Sequence, residues 1–496
     1  MTDGFDVIVV GGGNAALCAA LAARERGARV LVLEKASEAE RGGNSLFTGG
    51  GFRFAHRGLD DLRQDVLTDL TPAEAQAVEV PPYTEEQFYD DLMRLTEDCA
   101  NPDLADLLVR RSRPTIVWMA TQGVRWILMF NRQSFRVGDR HRFWGGLNVE
   151  AVGGGAGLVQ SLYDRAARMG IEVRYETGAR RLLVDRRGAV TGLTVRGREG
   201  FEEIPARAVV LACGGFEANP EWRTRYLGPG WELARVRGTR HNVGDGIRMA
   251  LEIGAQPYGH WSGAHAVAWD LNAPEFGDRK VLDLFQKHSY PLGLIVNVRG
   301  ERFVDEGADF RNYTYAKYGR EILRQPRRTA WQLFDQKVVP LLREEYRIRE
   351  VTKVEADTIE ALARKCEVDV DGLVRTVREY NAAVQDGDFN PAALDGKGTR
   401  GIAPPKSNWA QRLDAPPYVA YGVTCGITFT FGGLRVDGRA AVLDTEDRPI
   451  SGLYAAGELV GGLFYHNYPG GTGLMSGSVF GALAGEHAAL RVLGGA

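Results

Sequence analysis

The first forty residues switch between apolar blocks and glycine. A β-branched apolar run at residues 6–10 meets Gly11-Gly12-Gly13-Asn14-Ala15-Ala16, an Ala-rich stretch follows to Arg26, and a second apolar run at 28–33 ends on Glu34. Short apolar runs bounded by glycine fit buried strands of a parallel sheet, and the Ala-rich stretch fits the helix that crosses between them. The pattern therefore predicts strand, glycine turn, helix, strand. Glycines permit a tight turn and close approach of a ligand. The helix N-terminus attracts pyrophosphate, and an acidic residue closing the second strand can bind a ribose hydroxyl. A nucleotide site is expected here.

Further along, residues 59–124 are polar with a helical pattern punctuated by Pro72, Pro81, Pro82, Pro102 and Pro114, and they are expected to form a helical insertion reaching about residue 150. Glycines at 153–157 precede a helix predicted over 159–169 and a strand over 171–175. No clear strand leads into them and no acidic residue ends 171–175, so this is expected to be a glycine-led helix start beside the first ligand, not a second nucleotide fold. Residues 181–195, with a turn at 185–188, and 208–212, ending at Cys213-Gly214-Gly215, read as a meander returning to the sheet. From 255 to 417 the pattern is mixed and rich in Arg, His and aromatic residues, and 418–496 returns to strands and glycine turns before an Ala-rich helix at 477–493. The expected organisation is a nucleotide-binding domain made of 1–254 and 418–496, interrupted by a capping domain over 255–417.

Composition narrows the function. A chain of 496 residues exceeds what one core usually serves, which agrees with two domains. A net charge of −3 without a sustained basic block argues against nucleic acid as a partner, and no apolar run approaches the roughly 20 residues of a membrane helix. Met1-Thr2-Asp3-Gly4 carries no export signature, so a cytoplasmic location is expected. The five cysteines are scattered without a C-x-x-C pair, so no metal, cluster or redox disulfide is expected. The 62 glycines cluster, which suggests backbone lying close to a ligand.

Near the C-terminus, Gly452-Leu453-Tyr454-Ala455-Ala456-Gly457-Glu458 is a strand running into a glycine and a carboxylate. Paired with the N-terminal unit, it resembles the second FAD signature of two-dinucleotide-binding-domain flavoproteins. Together with Arg41-Gly42-Gly43-Asn44-Ser45, Thr48-Gly49-Gly50-Gly51, Gly244-Asp245-Gly246, residues 300–306, residues 310–313 and Asn467-Tyr468-Pro469-Gly470-Gly471, the chain resembles the fumarate reductase and succinate dehydrogenase flavoprotein superfamily, and within it the tricarballylate dehydrogenases. The resemblance implies an α/β fold with a Rossmann-like FAD-binding domain interrupted by an α+β cap. It places Gly11, Gly13, Asn14, Ala15 and Ala16 at the pyrophosphate, Glu34 and Lys35 at the adenosine ribose, and Gly42, Gly43, Asn44 and Ser45 along the cofactor. Asp245, Glu458 and the backbone of Leu474 and Met475 would meet the ribityl chain or flavin ring, with Thr48, Gly49, Gly50, Ala179, Gly214, Gly457 and Gly473 completing the set. Residues 42–50 contain no histidine of the kind that carries covalent FAD in respiratory relatives, so non-covalent FAD is implied.

In the cap, the resemblance implies Arg311 for proton transfer and His265 for substrate binding, with Tyr468 and Tyr313 as rival bases. The surrounding Arg240, His241, His260, Lys287, His288, Arg299 and Arg302 suit a small polycarboxylate, because each buried carboxylate needs a charged or hydrogen-bonding partner. Two departures bear on the substrate. Thr428 and Tyr468 stand where fumarate reductases carry a histidine and an arginine, which argues against fumarate itself, and Arg311 follows Glu306 by five residues where the superfamily usually has four. The Tyr468-Pro469-Gly470-Gly471 segment also resembles 3-ketosteroid dehydrogenases, and a flavoprotein component of cobalamin synthesis is a further alternative. Lacking haem or iron–sulfur motifs, the chain is expected to need a separate electron-acceptor protein or a quinone pathway.

Overall fold

The computed structural model describes residues 4–494; Met1, Thr2 and Asp3, on which the reading of an unsignalled start rests, lie outside them, as do the last two residues. The strands that matter for the site are, in chain order, β1 (Phe5–Val10), β2 (Val30–Leu33), β3 (Glu172–Arg174), β4 (Gly178–Val184), β5 (Val190–Gly197), β6 (Gly200–Leu211), β7 (Pro257–Asp270), β8 (Leu294–Asn297), β9 (Ala330–Phe334), β10 (Lys353–Ala356), β11 (Tyr418–Leu434), β12 (Ala441–Leu443) and β13 (Pro449–Ala455). The corresponding helices are α1 (Asn14–Glu25), α2 (Gly154–Arg168), α3 (Arg311–Leu323) and α4 (Thr472–Leu493).

Five strands run parallel in the order β13-β6-β1-β2-β3, with Val9 opposite both Val210 and Val32. Val7, Ile8 and Val9 are wholly buried, as a parallel strand covered by helices on both faces must be. The outer part of β6 continues antiparallel with β5 and β4, forming the meander. A ligand crevice in such a sheet lies beyond the carboxyl ends of its parallel strands. Gly11, Gly214 and Gly457, all with positive φ, follow β1, β6 and β13 there.

A second sheet is built around β11, which pairs with β7, β9, β10 and the short strand Arg235–Val236, while β8 adds to β9. Residues 418–434 thus sit at the centre of the second sheet, not in the nucleotide-binding unit where the sequence reading put them. Their glycines look like turns but are strand interior. A side chain at Gly426 would begin 2.7 Å from the Trp269 ring, and one at Gly422 would begin 2.6 Å from Leu271, so each marks a close approach of the neighbouring strand.

The expected helical insertion is mainly helical to residue 121, over Leu59–Asp65, Pro72–Gln76, Glu85–Leu95 and Pro102–Thr121, with one further short helix at Phe130–Gln133. Thr71 with Glu74 and Thr84 with Gln87 make capping boxes, and Asn101 caps the long helix. Beyond it lie the strands Trp126–Leu128, Ser134–Val137, Arg140–Phe143 and Val149–Ala151. The last of these does lead into α2, but it belongs to a separate antiparallel sheet. Among the described residues, no helix is long and apolar enough to cross a membrane, and no group of three or more His, Cys, Asp or Glu could hold a metal ion.

Helix α4 lies directly on α1. Gly477, Gly481 and Gly485 recur every four residues along one face of α4, and a side chain at Gly481 would begin 2.5 Å from the Ala15 carbonyl oxygen, with Gly485 equally hard against Ala19. Asn14, at the first turn of α1, spends its side-chain amide on the Leu474 carbonyl and the Ser478 hydroxyl, both at 2.9 Å. Alanine in a helix gains up to about 1 kcal/mol over glycine, whereas overpacking costs about 1–3 kcal/mol. Because the obstacle at Gly485 is backbone, overpacking is expected to win: Gly485→Ala should lower the unfolding free energy by about 1–2 kcal/mol. Chemical denaturation checks this, and an unchanged or raised midpoint would contradict it.

Candidate active site

The carboxyl ends of the parallel strands open onto one long cleft. Gly11, Gly13, Asn14 and Ala15 line its first end, where α1 begins. Gly11 is in a positive-φ turn packed against the Ala212 carbonyl, which leaves room for no side chain. The Asn14 backbone N–H donates to the Ser45 hydroxyl at 3.0 Å, fastening the loop that carries Gly43, Asn44, Ser45, Thr48 and Gly49 to the start of α1. Glu34 is 6% exposed, and its Oε1 accepts from the Ala36 backbone N–H at 2.7 Å. Burial pushes its carboxyl above the ordinary range. Lys35 is paired with Asp245 at 2.8 Å, so the two neutralise one another on the cleft wall.

At the middle of the cleft, Ala179, Gly214, Gly457 and Glu458 line the wall, and Gly473 and Leu474 lie where α4 starts. Glu458 Oε1 accepts from the Thr430 backbone N–H at 2.6 Å and from its hydroxyl at 3.0 Å. Glu217, missed in the sequence, is fully buried; its Oε1 accepts from the side-chain amides of Asn44 and Asn242, each at 2.6 Å. Burial and the facing Glu458 hold the Glu217 carboxyl well above the usual range. Asn44 also donates to the Thr428 carbonyl and accepts from the Thr239 N–H, tying the first domain's loop to the second sheet.

Four residues predicted at the cofactor do not reach the cleft wall. Ala16 and Met475 are fully buried in the core. Gly42 and Gly50 shape the loop from behind: both have positive φ, and a side chain at Gly50 would begin 2.5 Å from the Gly154 backbone.

The far end of the cleft is cationic and aromatic. Arg132, Arg237 and Arg311 line it with Tyr315, Thr428 and Tyr468. Arg132 pairs with Asp283 at 2.5 Å, and Arg237 reaches the same carboxylate only at 3.7 Å. Arg237 also donates to the Thr428 hydroxyl at 3.4 Å, and its Nε has no partner. Arg311 opens α3 after the loop that contains the extra residue, donates to the Arg132 carbonyl at 3.0 Å, and has no carboxylate within 4 Å among the described residues. Burial pushes its guanidinium below the ordinary value. The Tyr468 and Tyr315 hydroxyls are hydrogen-bonded to each other, and burial with that neighbour holds the Tyr468 phenol well above the usual range.

Two expected residues lie elsewhere. Tyr313 is off the cleft, its hydroxyl donating to Asp91 at 2.6 Å and accepting from Arg53 at 3.3 Å; on a helix, the residue two positions before Tyr315 faces another way. His265 is not on the wall but behind it, wholly buried against Phe429, Tyr315 and Tyr468, with neither ring nitrogen partnered. Burial and Arg237 keep it neutral. Of the other cap charges, Lys287 pairs with buried Asp270 at 3.4 Å and Arg302 with Glu306, both structural; Arg240 and Arg299 are exposed, and only His241 lines the cleft.

Three known relatives fit this architecture. The protein family described as "FAD binding domain" matches residues 6–474. A fumarate reductase (cytochrome) of Shewanella frigidimarina is 30% identical over 492 residues, covering 98% of this chain and 77% of its own. A 3-oxosteroid 1-dehydrogenase of Mycobacterium tuberculosis (strain ATCC 25618 / H37Rv) is 27% identical over 576 residues, covering 98% of each chain. The solved open conformation of a flavocytochrome c3 fumarate reductase matches with a TM-score of 0.73 at 29% identity, covering 99% of this chain and 79% of that one.

The cofactor is FAD. The residues present fit it: bare glycine backbone at the N-terminus of α1 suits the pyrophosphate, buried Glu34 suits a ribose, and Glu458 with the start of α4 suits the other half of the molecule. Replacing Glu34 by Ala is expected to weaken FAD binding about 10- to 100-fold, the cost of losing one buried partner. Titration of apoprotein with FAD measures this, and unchanged affinity would remove Glu34 from the site. Acid precipitation should leave the flavin in the supernatant; colour retained on the chain would show a covalent link.

Proposed function

This chain belongs to the FAD binding domain family, and from that premise we propose that it moves hydrogen across a C–C bond next to a carboxylate in a small polycarboxylate of the tricarballylate kind. It is an FAD-dependent oxidoreductase acting on CH–CH groups. The observation that carries the substrate reading is charge: three guanidinia line the far end of the cleft against one buried carboxylate, Asp283, and the half-exposed Glu344 at 3.8 Å from Arg132. Guanidinia held out of water need anions, and a ligand with several carboxylates supplies them.

When bound, FAD supplies the hydride acceptor of a desaturation or the donor of a reduction. The chain's own residues do the rest. Arg237 and Thr428 are placed to hold a carboxylate beside the reacting bond, and Arg237 has a free Nε to donate. Arg311 is the proposed proton-transfer group: depressed by burial and unpaired with any carboxylate, its guanidinium gives up a proton more readily than an exposed arginine does. The Tyr315–Tyr468 hydroxyl pair favours a second reading, in which Tyr468 exchanges the proton at carbon and passes it to Tyr315, above whose ring Arg311 lies at 5.6 Å. That reading leans toward the ketosteroid type of desaturation. Against a steroid stands the same density of charge, since a steroid pocket is largely apolar. Electrons would then leave to a separate acceptor protein or quinone pathway.

Arg311→Lys should keep FAD and the charge yet lose about 10²–10⁴ in kcat, because lysine lacks the planar fork and its placement. Tyr468→Phe removes one hydroxyl and should have a smaller effect. Stopped-flow flavin reduction separates the two. If Tyr468→Phe abolishes reduction and Arg311→Lys does not, the proton passes through the tyrosines.

A further inference from the structure

On the other side of Arg311 lies a second, much smaller chamber, lined by Phe135, Trp144, His288, Phe310, Arg343 and Trp409. Arg311 is its shared wall with the main cleft. The rings form a continuous ladder, Phe135 stacked on Trp144 at 5.5 Å and Trp144 on Phe310 at 5.4 Å, with Trp409 beside Phe310 at 5.8 Å. Arg343 lies 5.0 Å over Phe135 and donates to the Asn131 carbonyl, so its guanidinium is held in place at the edge of the chamber.

No carboxylate comes within 4 Å of Arg343 or Arg311 among the described residues, whereas the neighbouring Arg132 has Asp283. The buried carboxylates facing this group are Asp283 and Glu345, two against the four guanidinia of Arg132, Arg237, Arg311 and Arg343. Glu344, 3.8 Å from Arg132, is half exposed to solvent, and burial pushes Glu150 up to about 7, so neither closes the gap. Burial, and after it the like charge of Arg311, lowers Arg343 to about 9. His288 provides an independent sign. It is 3% exposed, its Nε2 has no partner, and burial with Arg311 keeps the ring neutral, so it can donate one hydrogen bond without adding charge.

We propose that this chamber is a distal carboxylate subsite: Arg343, with Arg311 and His288, holds a carboxylate remote from the reacting bond and so sets a preference for tricarboxylates over dicarboxylates. The inference rests on the polycarboxylate reading. Arg311 then has a double position, one side toward the reacting carbon and the other toward the distal anion, and the aromatic ladder forms the apolar wall beside Arg343.

The test is calorimetric binding to the FAD-loaded protein at low salt, with tricarballylate and with succinate, for wild type, Arg343→Gln, Arg343→Lys and His288→Phe. The flavin spectrum reports that each variant is folded and loaded. Arg343→Gln should lose about 10- to 100-fold in affinity for tricarballylate, as expected for a charge-assisted partner, and less than about 3-fold for succinate. Arg343→Lys should restore part of the loss, and His288→Phe should show a smaller loss of the same selectivity. If wild type prefers tricarballylate and Arg343→Gln keeps that preference, the subsite is overturned while the polycarboxylate reading stands. If wild type binds neither acid, the polycarboxylate reading fails and the subsite with it.

Discussion

The site is registered by a contact between two backbones. Helices α1 and α4 both begin at glycine and touch where Gly481 and Gly485 leave no side chain between them and the carbonyls of Ala15 and Ala19. The Asn14 side chain then bridges the first turn of α1 to Leu474 and Ser478. One end of the cleft begins at the first helix and its middle at the second, so the spacing of the cofactor's two halves follows from this contact. A bulkier residue at these glycines would separate the helices and lengthen the cleft; close packing turns a local substitution into a displacement at the ligand.

A second constraint is charge. Desolvating a guanidinium without an anion is costly, and proteins normally answer it with a carboxylate. Here no carboxylate comes within 4 Å of Arg311 or Arg343 among the described residues, and Arg237 shares Asp283 with Arg132 at 3.7 Å, while nearby cations that serve the fold, Lys287 and Arg302, each have a carboxylate of their own. The contrast within one cap separates structural charges from those kept for a ligand. The Glu217–Glu458 pair shows the opposite arrangement: two acids are buried together beside the cofactor's middle, and burial with their mutual repulsion raises the Glu217 carboxyl well above its ordinary range.

Much of this was readable from residue pattern. The glycine turn, Ala-rich helix and Glu34 are local in sequence, and the structure places them together on one crevice. The failures have common causes. Residues 418–434 group in sequence with the strands and glycine turns of the nucleotide-binding unit because a glycine that admits a neighbouring ring looks the same in sequence as one that turns the chain. Tyr313 and Tyr315 stand two apart, and only the rotation of α3 decides which faces the cleft. Arg132 and Arg343 come from distant loops, and nothing local distinguishes a paired arginine from an unpaired one. Their significance appears only when Asp283 is seen beside one and no acid beside the other.

The central claim is that the uncompensated guanidinia select an acid whose CH–CH bond exchanges hydrogen with the flavin. Anaerobic titration of the yellow protein tests it most directly, adding tricarballylate in one cell and a 3-ketosteroid in another while following the flavin absorbance band. The account predicts that the band bleaches stoichiometrically with tricarballylate and stays unchanged with the steroid. Bleaching by the steroid with none by the acid would contradict it.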